Sequence, residues 1–381
     1  MQQIYISGGA MTPFARHTGV MAPELAQQAI LKAVDDAGVT LEDIEAVYCA
    51  NVLGGMILGQ LVVRDLGLRG IPVYNVENAC ASGATGVHLA RHALLAGQYS
   101  TVLVFGIEQL TALGGGTIPM QRNDLKTDLY AAAGMVLPAV YAMRGTRFLH
   151  ERDARPEDLA AVAVKNRHNG SLNEYAQQRT ETSVQEVLAS RMIADPLTLL
   201  QCCPSQVDGA AAVVMTSRRP TQTKPVHVLS SVVVSGIREQ ADDDILDAEI
   251  TARAARQAYE QAGLGPQDVN VVELHDAFTI AELLYYEALG LAAHGDAVPL
   301  LRSGATRLGG RVPVNPSGGL LAKGHPLGAT GIAQMVEIMW HLQDRAGGRQ
   351  VAGARIGLTQ CTGGGIAGVD HAASSVHILG V

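Results

Sequence analysis

A segment near the start of the chain returns in its second half. AILKAVDDAGVTLEDIEAVYCA, beginning at Ala29, matches AARQAYEQAGLGPQDVNVVELH, beginning at Ala254, so that Ala33 pairs with Ala258, Ala37 with Ala262, Gly38 with Gly263, Asp43 with Asp268 and Val47 with Val272. Each copy has apolar or Ala residues at helical spacing, a Gly stop, a polar turn, and then a short alternating run such as Ile44 to Tyr48. That order reads as helix, turn, strand. A recurrence at one constant shift marks a duplicated unit, and it must be recognised before any other assignment is made. With 381 residues there is room for two or three structural units.

A second echo sharpens the first. GATG occurs at Gly83 to Gly86 and again at Gly328 to Gly331, opening the helix-like stretches VHLARHALLAG and IAQMVEIMWHLQ. The shift that relates these two copies carries Cys80 onto His325. The two halves therefore place a thiol and an imidazole at equivalent positions just ahead of equivalent helices, and a pseudo-twofold fold would bring them together.

Each half also has a strand-like segment after its helix, TVLVFG from Thr101 and ARIGLTQC from Ala354, so each is expected to be an α/β layer around a mostly buried sheet. Residues 111–204 break the repeat, with a Gly-rich start, many charges and helical stretches such as Glu157 to Arg167. They are expected to form an inserted cap-like region. VDGAAAVVMTS from Val207 reads as the returning strand of the first half and RRPTQTKP from Arg218 as the linker. The expected boundaries are 1–110 plus 205–220 for the first half, 111–204 for the insert and 225–381 for the second half.

Composition excludes several classes. Lys plus Arg number 28 against 36 Asp plus Glu, a formal net charge of -8, so no basic field gathers phosphate backbones and no nucleic-acid partner is expected. Hydrophobic residues make up 48% of the chain, yet no run approaches the ~20 apolar residues of a membrane span. No membrane association is expected. The start, MQQIYISGGAMTPF, lacks the basic and apolar stretches of a secretory signal, which makes the cytoplasm the expected location.

The five cysteines, at 49, 80, 202, 203 and 361, form no CxxC pair and suit neither a disulfide framework nor a zinc cage, so no metal is expected. Glycine clusters at 114–116, 318–319 and 363–365 mark where backbone must approach something closely.

Four positions could carry chemistry. Cys80, in PVYNVENACASGATGVHLA, sits between a strand-like run and a helix start, where backbone N–H groups and a nearby histidine favour the thiolate. His325, in NPSGGLLAKGHPLGATG, lies in a loop fixed by Pro326 and flanking glycines. With an ordinary pKa of ~6.5 it can take a thiol proton and then hydrogen-bond an oxyanion. Cys361 opens CTGGGIAG, a second thiol at a strand end beside a turn rich in backbone N–H groups, which can cradle an oxyanion. His275, with Asp276, stands at the mouth of the strand that follows the second copy of the repeated helix. The i,i+4 pair His88 and His92 reads as a helix face, His150 and His168 as solvated, and Cys202 with Cys203 as packing.

Taken together, the Cys80 turn with SGATG, HDAF at His275 followed by ELLYYEALGL, NPSGGLLAKGHPLGATG, CTGGG at Cys361 and PLTLLQCCPSQVDGAAAVVM resemble the thiolase superfamily over essentially the whole length. The sterol-carrier-protein-2-type branch is the most similar. The resemblance implies a five-layered α-β-α-β-α core of two similar halves with a cap-like loop domain, and a homodimer or dimer of dimers. It implies acyl-CoA thioester substrates with coenzyme A as co-substrate and no tightly bound cofactor.

Carried over by position, Cys80 is the acylated nucleophile, His325 activates it, and Cys361 exchanges the proton on the α-carbon. His275 stands where many thiolases have Asn, and serves the first oxyanion hole. Gly364 serves the second, with the Cys80 amide. The implied reaction is 3-ketoacyl-CoA cleavage, as in β-oxidation, or its reverse condensation. Some relatives pass the acyl group to a non-CoA acceptor, work with a small OB-fold partner protein, or have become aldolases or lipid-binding scaffolds. The chain ends at Val381 with no appended sterol-carrier domain, so lipid transfer by such a module is not expected.

Overall fold

The computed structural model describes residues 2–114, 133, 135–221, 223–237, 244–364 and 372–381. The repeat is visible in it element by element. Helix α1 (Ala22–Ala37) ends at Gly38, whose φ of 64° lets its N–H reach back to the carbonyls of Asp35 and Val34. After α2 (Leu58–Arg64) comes α3 (Ser82–Leu95). The insert supplies α4 (Leu137–Glu151), α5 (Pro156–Ser171) and α6 (Val184–Ala189).

The counterpart of α1 is α7 (Glu249–Ala262), which stops in the same way at Gly263, φ 66°. A left-handed C-cap is the conformation that L side chains resist, which is why both copies carry glycine there. The shared Asp43 and Asp268 each close the next turn, accepting the backbone N–H of Thr40 and of Gly265 at 2.8 Å. The remaining helices are α8 (Thr279–Ala288), α9 (Ala297–Arg302), α10 (Gly319–Ala322) and α11 (Leu327–Leu342).

The strands are β1 (Tyr5–Met11), β2 (Ala46–Ala50), β3 (Val73–Val76), β4 (Thr101–Gln109), β5 (Met192–Ala194), β6 (Leu197–Thr198), β7 (Asp208–Thr216), β8 (Val226–Ser235), β9 (Val271–Glu273), β10 (Ile356–Gly363) and β11 (Ala373–Gly380). Nine of them run in the order β3-β2-β4-β7-β1-β8-β11-β10-β9, with β5 and β6 apart as a hairpin. On one side, β2 is parallel to β3 and β4 while β7 is antiparallel to β4 and β1. On the other, β9 is parallel to β10 while β11 is antiparallel to β10 and β8.

The two halves thus share one pairing scheme and join where Tyr5 and Ile6 of β1 meet His227 and Val226 of β8. Even β3 has an echo, a single parallel bridge from Val272 to Val314.

Helices α3 and α11 lie between the two sheet halves, α1 covers the outer face of the first and α7 that of the second. These are the five layers α-β-α-β-α. Every residue of α11 is buried, so the helix that follows His325 runs through the middle of the molecule. None of the described helices is long and apolar enough to cross a membrane.

The two GATG segments cross each other. A Cβ on Gly83 would come within 2.7 Å of the Gly328 carbonyl oxygen and 3.1 Å of the Ile332 nitrogen, and one on Gly331 would meet Ala84 backbone. Gly83→Val is therefore expected to destabilise the fold by about 1–3 kcal/mol through overpacking against backbone that cannot give way, seen as a lower midpoint in thermal unfolding. The same change at exposed Gly97, with nothing near its Cβ position, involves no such contact and serves as the control for strain alone, because its φ is 69°.

Candidate active site

Cys80 occupies a tight turn between β3 and α3. Ala79 is left-handed, φ 48°, and Ser82 holds the turn by donating to the Ala79 carbonyl at 2.6 Å while accepting the Asn78 N–H at 2.8 Å. His325 occupies the matching place before α11. The Cys80 sulfur and one ring nitrogen each of His275 and His325 lie within 4.8 Å of one another, and the two imidazoles meet edge to face, 4.8 Å between centroids at 82°. The Cys361 thiol donates to the Cys80 carbonyl at 3.1 Å. All four expected residues therefore converge.

Gly364, at φ 62°, presents its N–H to the Cys80 thiol, and with the Cys80 N–H it pulls the thiol toward ionisation. Residues 365–368 of the CTGGGIAG turn, and 115–116 of the first glycine cluster, lie outside the described residues.

The charge state of the pair differs from the expectation drawn from the helix terminus. Cys80 keeps part of its surface in contact with solvent, yet burial of its sulfur pushes the thiol up to about 12, aided by Glu108 and Glu77 and opposed by the two N–H groups. Burial pulls His325 down to about 3 and holds the Cys361 thiol well above its usual value, with Cys80 adding to the effect. Cys80, Cys361 and His325 are therefore neutral at rest, because desolvation penalises their charged forms. A soft divalent ion could bridge Cys80, His275 and His325, but it would need the thiolate that burial opposes.

The ring of His325 is oriented by Thr330. That hydroxyl lies 2.9 Å from the Pro326 carbonyl, which only accepts, and 2.8 Å from His325 Nδ1. With its single hydrogen on the carbonyl, it accepts Nδ1–H from the ring, which leaves Nε2 with a lone pair. That is the form of a base.

Two buried carboxylates flank His275 and tie it to the loop before His325. Glu273 accepts the Ser317 N–H and hydroxyl at 2.9 and 2.7 Å. Asp276 accepts the Leu320 N–H at 2.7 Å and Asn166 Nδ2 at 2.7 Å, and burial, then Glu282, hold its carboxyl well above the usual range.

Helix α5 braces the same loop from outside. Lys165 donates to the Val314 carbonyl at 2.7 Å and pairs with Glu282 at 2.9 Å, Asn169 donates to the Asn315 carbonyl at 2.9 Å, and Asn173, just past the helix end, to the Ser317 carbonyl at 2.8 Å. Glu108 supports the N-terminus of α11 by accepting the Gly328 N–H at 3.1 Å, together with those of Val52 and Leu53.

Sequence reasoning missed the braces from α5 and Glu108. The one signal for the α5 braces is the spacing of Lys165, Asn166 and Asn169, which puts three polar groups on one face of the helix, with Asn173 just past its end. The remaining candidates lie outside the cluster. His88 and His92 stack edge to face on α3, with His88 Nδ1 3.0 Å from Ser231 Oγ. His168 pairs with Glu181 at the surface, and His150 is exposed. Cys202 and Cys203 pack against the core of the second half, and Cys203 donates its N–H to the Ala277 carbonyl at 2.9 Å. That backbone bond, with the bridge from Cys202 to Phe278, ties the returning segment to the HDAF turn.

A duplicated five-layer α/β core with a thiol at one helix start and an imidazole at its twin defines a class of protein, and comparison with known sequences places the chain within it. Residues 4–219 match the thiolase N-terminal domain and residues 234–380 the thiolase C-terminal domain-like model; the chain belongs to the thiolase family. It is 40% identical to the benzoylsuccinyl-CoA thiolase subunit BbsB of Thauera aromatica, over 96% of this chain and 95% of that one. It is 39% identical to an acetyl-CoA acetyltransferase of Methanothermobacter thermautotrophicus, over 96% and 97%, and 36% identical to sterol carrier protein 2 of Homo sapiens, over 94% and 69%. Among solved structures, the Ltp2-ChsH2(DUF35) aldolase superposes with a TM-score of 0.86 at 24% identity, covering 100% of this chain and 98% of that one, a likeness of fold.

Two expectations follow. Lys165→Met leaves the Glu282 carboxylate buried without its cation and is expected to cost about 3–5 kcal/mol. Denaturant unfolding should show the loss, and the double variant with Glu282→Gln should recover much of it. The second concerns acid. Burial holds His325 at about 3 and His88 and His341 at about 4, all below their unfolded value of ~6.5. Their contribution is complete above that unfolded value and is lost as pH falls toward the folded ones, because the unfolded chain takes up protons first. Thermal midpoints should therefore drop between about pH 6.5 and 4, and less steeply for His341→Gln.

Proposed function

We propose that the protein is an acyl-CoA C-acyltransferase that works through an acyl thioester on Cys80. The observation that carries this reading is the convergence of Cys80, His275 and His325 within 4.8 Å with the Cys361 thiol 3.1 Å from the Cys80 carbonyl. Relatives named as a thiolase subunit and an acetyl-CoA acetyltransferase, similar over nearly the whole chain, support it.

In the cleavage direction, His325 Nε2 takes the Cys80 proton as the sulfur attacks the 3-keto carbon of a 3-ketoacyl-CoA. His275 donates to the oxygen that becomes negative. When that oxyanion collapses, the bond between C2 and C3 breaks and Cys361 gives its proton to C2, so acetyl-CoA leaves and the acyl group stays on Cys80. The second half runs in reverse order. The CoA thiol gives its proton to the Cys361 thiolate and attacks the acyl carbonyl, the same oxygen becomes negative again between His275 and the N–H groups of Gly364 and Cys80, and Cys80 departs, recovering its proton from His325.

Neutral partners at rest suit this scheme. The proton leaves Cys80 only as the carbonyl supplies a new place for the charge, so ionisation and attack are one event. The same groups run the condensation when two acyl-CoA molecules are supplied.

The chain is further proposed to act in the cytoplasm, as a homodimer or dimer of dimers, with CoA as co-substrate and no tightly bound cofactor. The first half is taken as residues 1–110 plus 205–220, the cap as 111–204 and the second half as 225–381. The word "subunit" in the name of the Thauera relative supports a second reading in which a partner protein of the OB-fold kind joins the active assembly.

Intact-protein mass spectrometry after mixing with acetyl-CoA or acetoacetyl-CoA tests the proposal. The wild type is expected to gain one acyl group and Cys80→Ala none. His325→Ala should acylate at least about a hundredfold more slowly, while Cys361→Ala should still acylate from acetyl-CoA but fail to make or break the carbon–carbon bond. Absence of label on the wild type, with candidate partner proteins present as well, would sink the proposal.

A further inference from the structure

A line of hydroxyl groups runs from His275 away from the reacting atoms. His275 Nδ1 lies 3.2 Å from Thr362 Oγ1, Thr362 Oγ1 lies 3.1 Å from the Tyr285 hydroxyl, and that hydroxyl lies 3.5 Å from the hydroxyl of Tyr141. All four side chains are buried. Arg144, also buried, stands at the far end, its guanidinium carbon 5.3 Å from the centre of the Tyr141 ring. Its charge acts on both tyrosine hydroxyls.

Each hydroxyl owns one hydrogen, so an unbroken line has two polarities. In one, every hydrogen points toward His275 and Thr362 donates to Nδ1. In the other, His275 gives up an Nδ1 hydrogen to Thr362 and every hydrogen points outward toward Tyr141. The cation beside the tyrosines decides between them. It attracts the oxygen ends of the hydroxyl dipoles and repels their hydrogens, and in a buried setting neither effect is screened by water. The inward polarity wins, and a neutral His275 then keeps its hydrogen on Nε2.

We infer that Thr362 and Tyr285 are positioning residues that fix His275 as an Nε2–H donor toward the acyl oxygen. The inference rests on the oxyanion role proposed above for His275. It gives a physical reason why two imidazoles in edge contact take opposite parts. Thr330 accepts a hydrogen from His325 Nδ1 and leaves a base at Nε2, whereas Thr362 donates one to His275 Nδ1 and leaves a donor at Nε2. Two threonines, each hydrogen-bonded to one ring, sort the two histidines into base and oxyanion donor.

The test reads the tautomer directly and does not depend on turnover. The full-length enzyme is labelled with 15N-histidine, and the His275 resonances are identified by their loss in His275→Asn. In the wild type, Nδ1 is expected at the position of an unprotonated ring nitrogen and Nε2 at that of a protonated one. Thr362→Val, nearly the same size, should shift both nitrogens toward the average of two tautomers and slow acylation of Cys80 about 10- to 100-fold, with KM little changed. Thr362→Ser should restore both readouts.

Tyr285→Phe keeps the ring but removes the hydroxyl that orients Thr362, and is expected to slow acylation about fivefold. A His275 spectrum with hydrogen on Nδ1 in the wild type, or one unchanged in Thr362→Val, overturns the inference. Either can occur while Cys80 is acylated normally, so its failure is distinct from failure of the acyltransferase reading, in which the wild type takes no acyl group.

Discussion

The distance between the two duplicated helices is the constraint on which the site depends. Gly83 and Gly328 meet with no room for a Cβ, and Cys80 and His325 stand three residues before them, one ahead of each helix. Side chains at that crossing would push the helices apart and carry the thiol from the imidazole. The glycines therefore act through backbone contact alone, and the chemistry one turn away inherits its geometry from them. Burial then follows, since helices this close leave no water between them, and burial sets the neutral resting state of Cys80 and His325.

A second constraint concerns the polar groups that such a core must contain. The loop from Asn315 to His325 has little regular structure of its own, yet it is buried throughout. Its backbone groups need partners. Glu273, Asp276, Lys165, Asn169 and Asn173 provide them and anchor the chain that leads into it. Two of the carboxylates are neighbours of His275, so the groups that satisfy the loop also lock one histidine of the site to the segment that carries the other. A satisfied network of this kind gives a single arrangement, which a site that must hold four groups in register requires.

The repeat makes much of this legible in the sequence. Helix, C-cap glycine and turn aspartate recur because the same backbone problem is solved twice, and the GATG echo is enough to predict the meeting of Cys80 with His325. What stays hidden are interactions between segments far apart in the chain. Lys165 and its neighbours pass for the face of a solvated helix, because polarity alone does not distinguish a face turned to water from one turned to a buried loop. Thr330 and Thr362 pass for small residues beside glycines, and only the distances reveal which ring nitrogen each one meets. The thiolate expected at a helix start fails for a related reason. The terminus makes a local contribution visible in sequence, while the opposing desolvation comes from everything packed around it.

Duplication also explains how one fold can supply complementary chemistry at a single point. Pseudo-twofold symmetry brings equivalent positions together, so if both carried the same residue the site would hold two thiols or two imidazoles with no difference in basicity. Placing sulfur on one copy and nitrogen on the other creates a donor and an acceptor of one proton at the axis. The surroundings then need only keep both neutral until a carbonyl arrives, and burial is the largest cause for both, with Glu108 and Glu77 adding to it at the thiol. The asymmetry that matters is a difference of side chain at two matched positions, on a backbone that the two halves share.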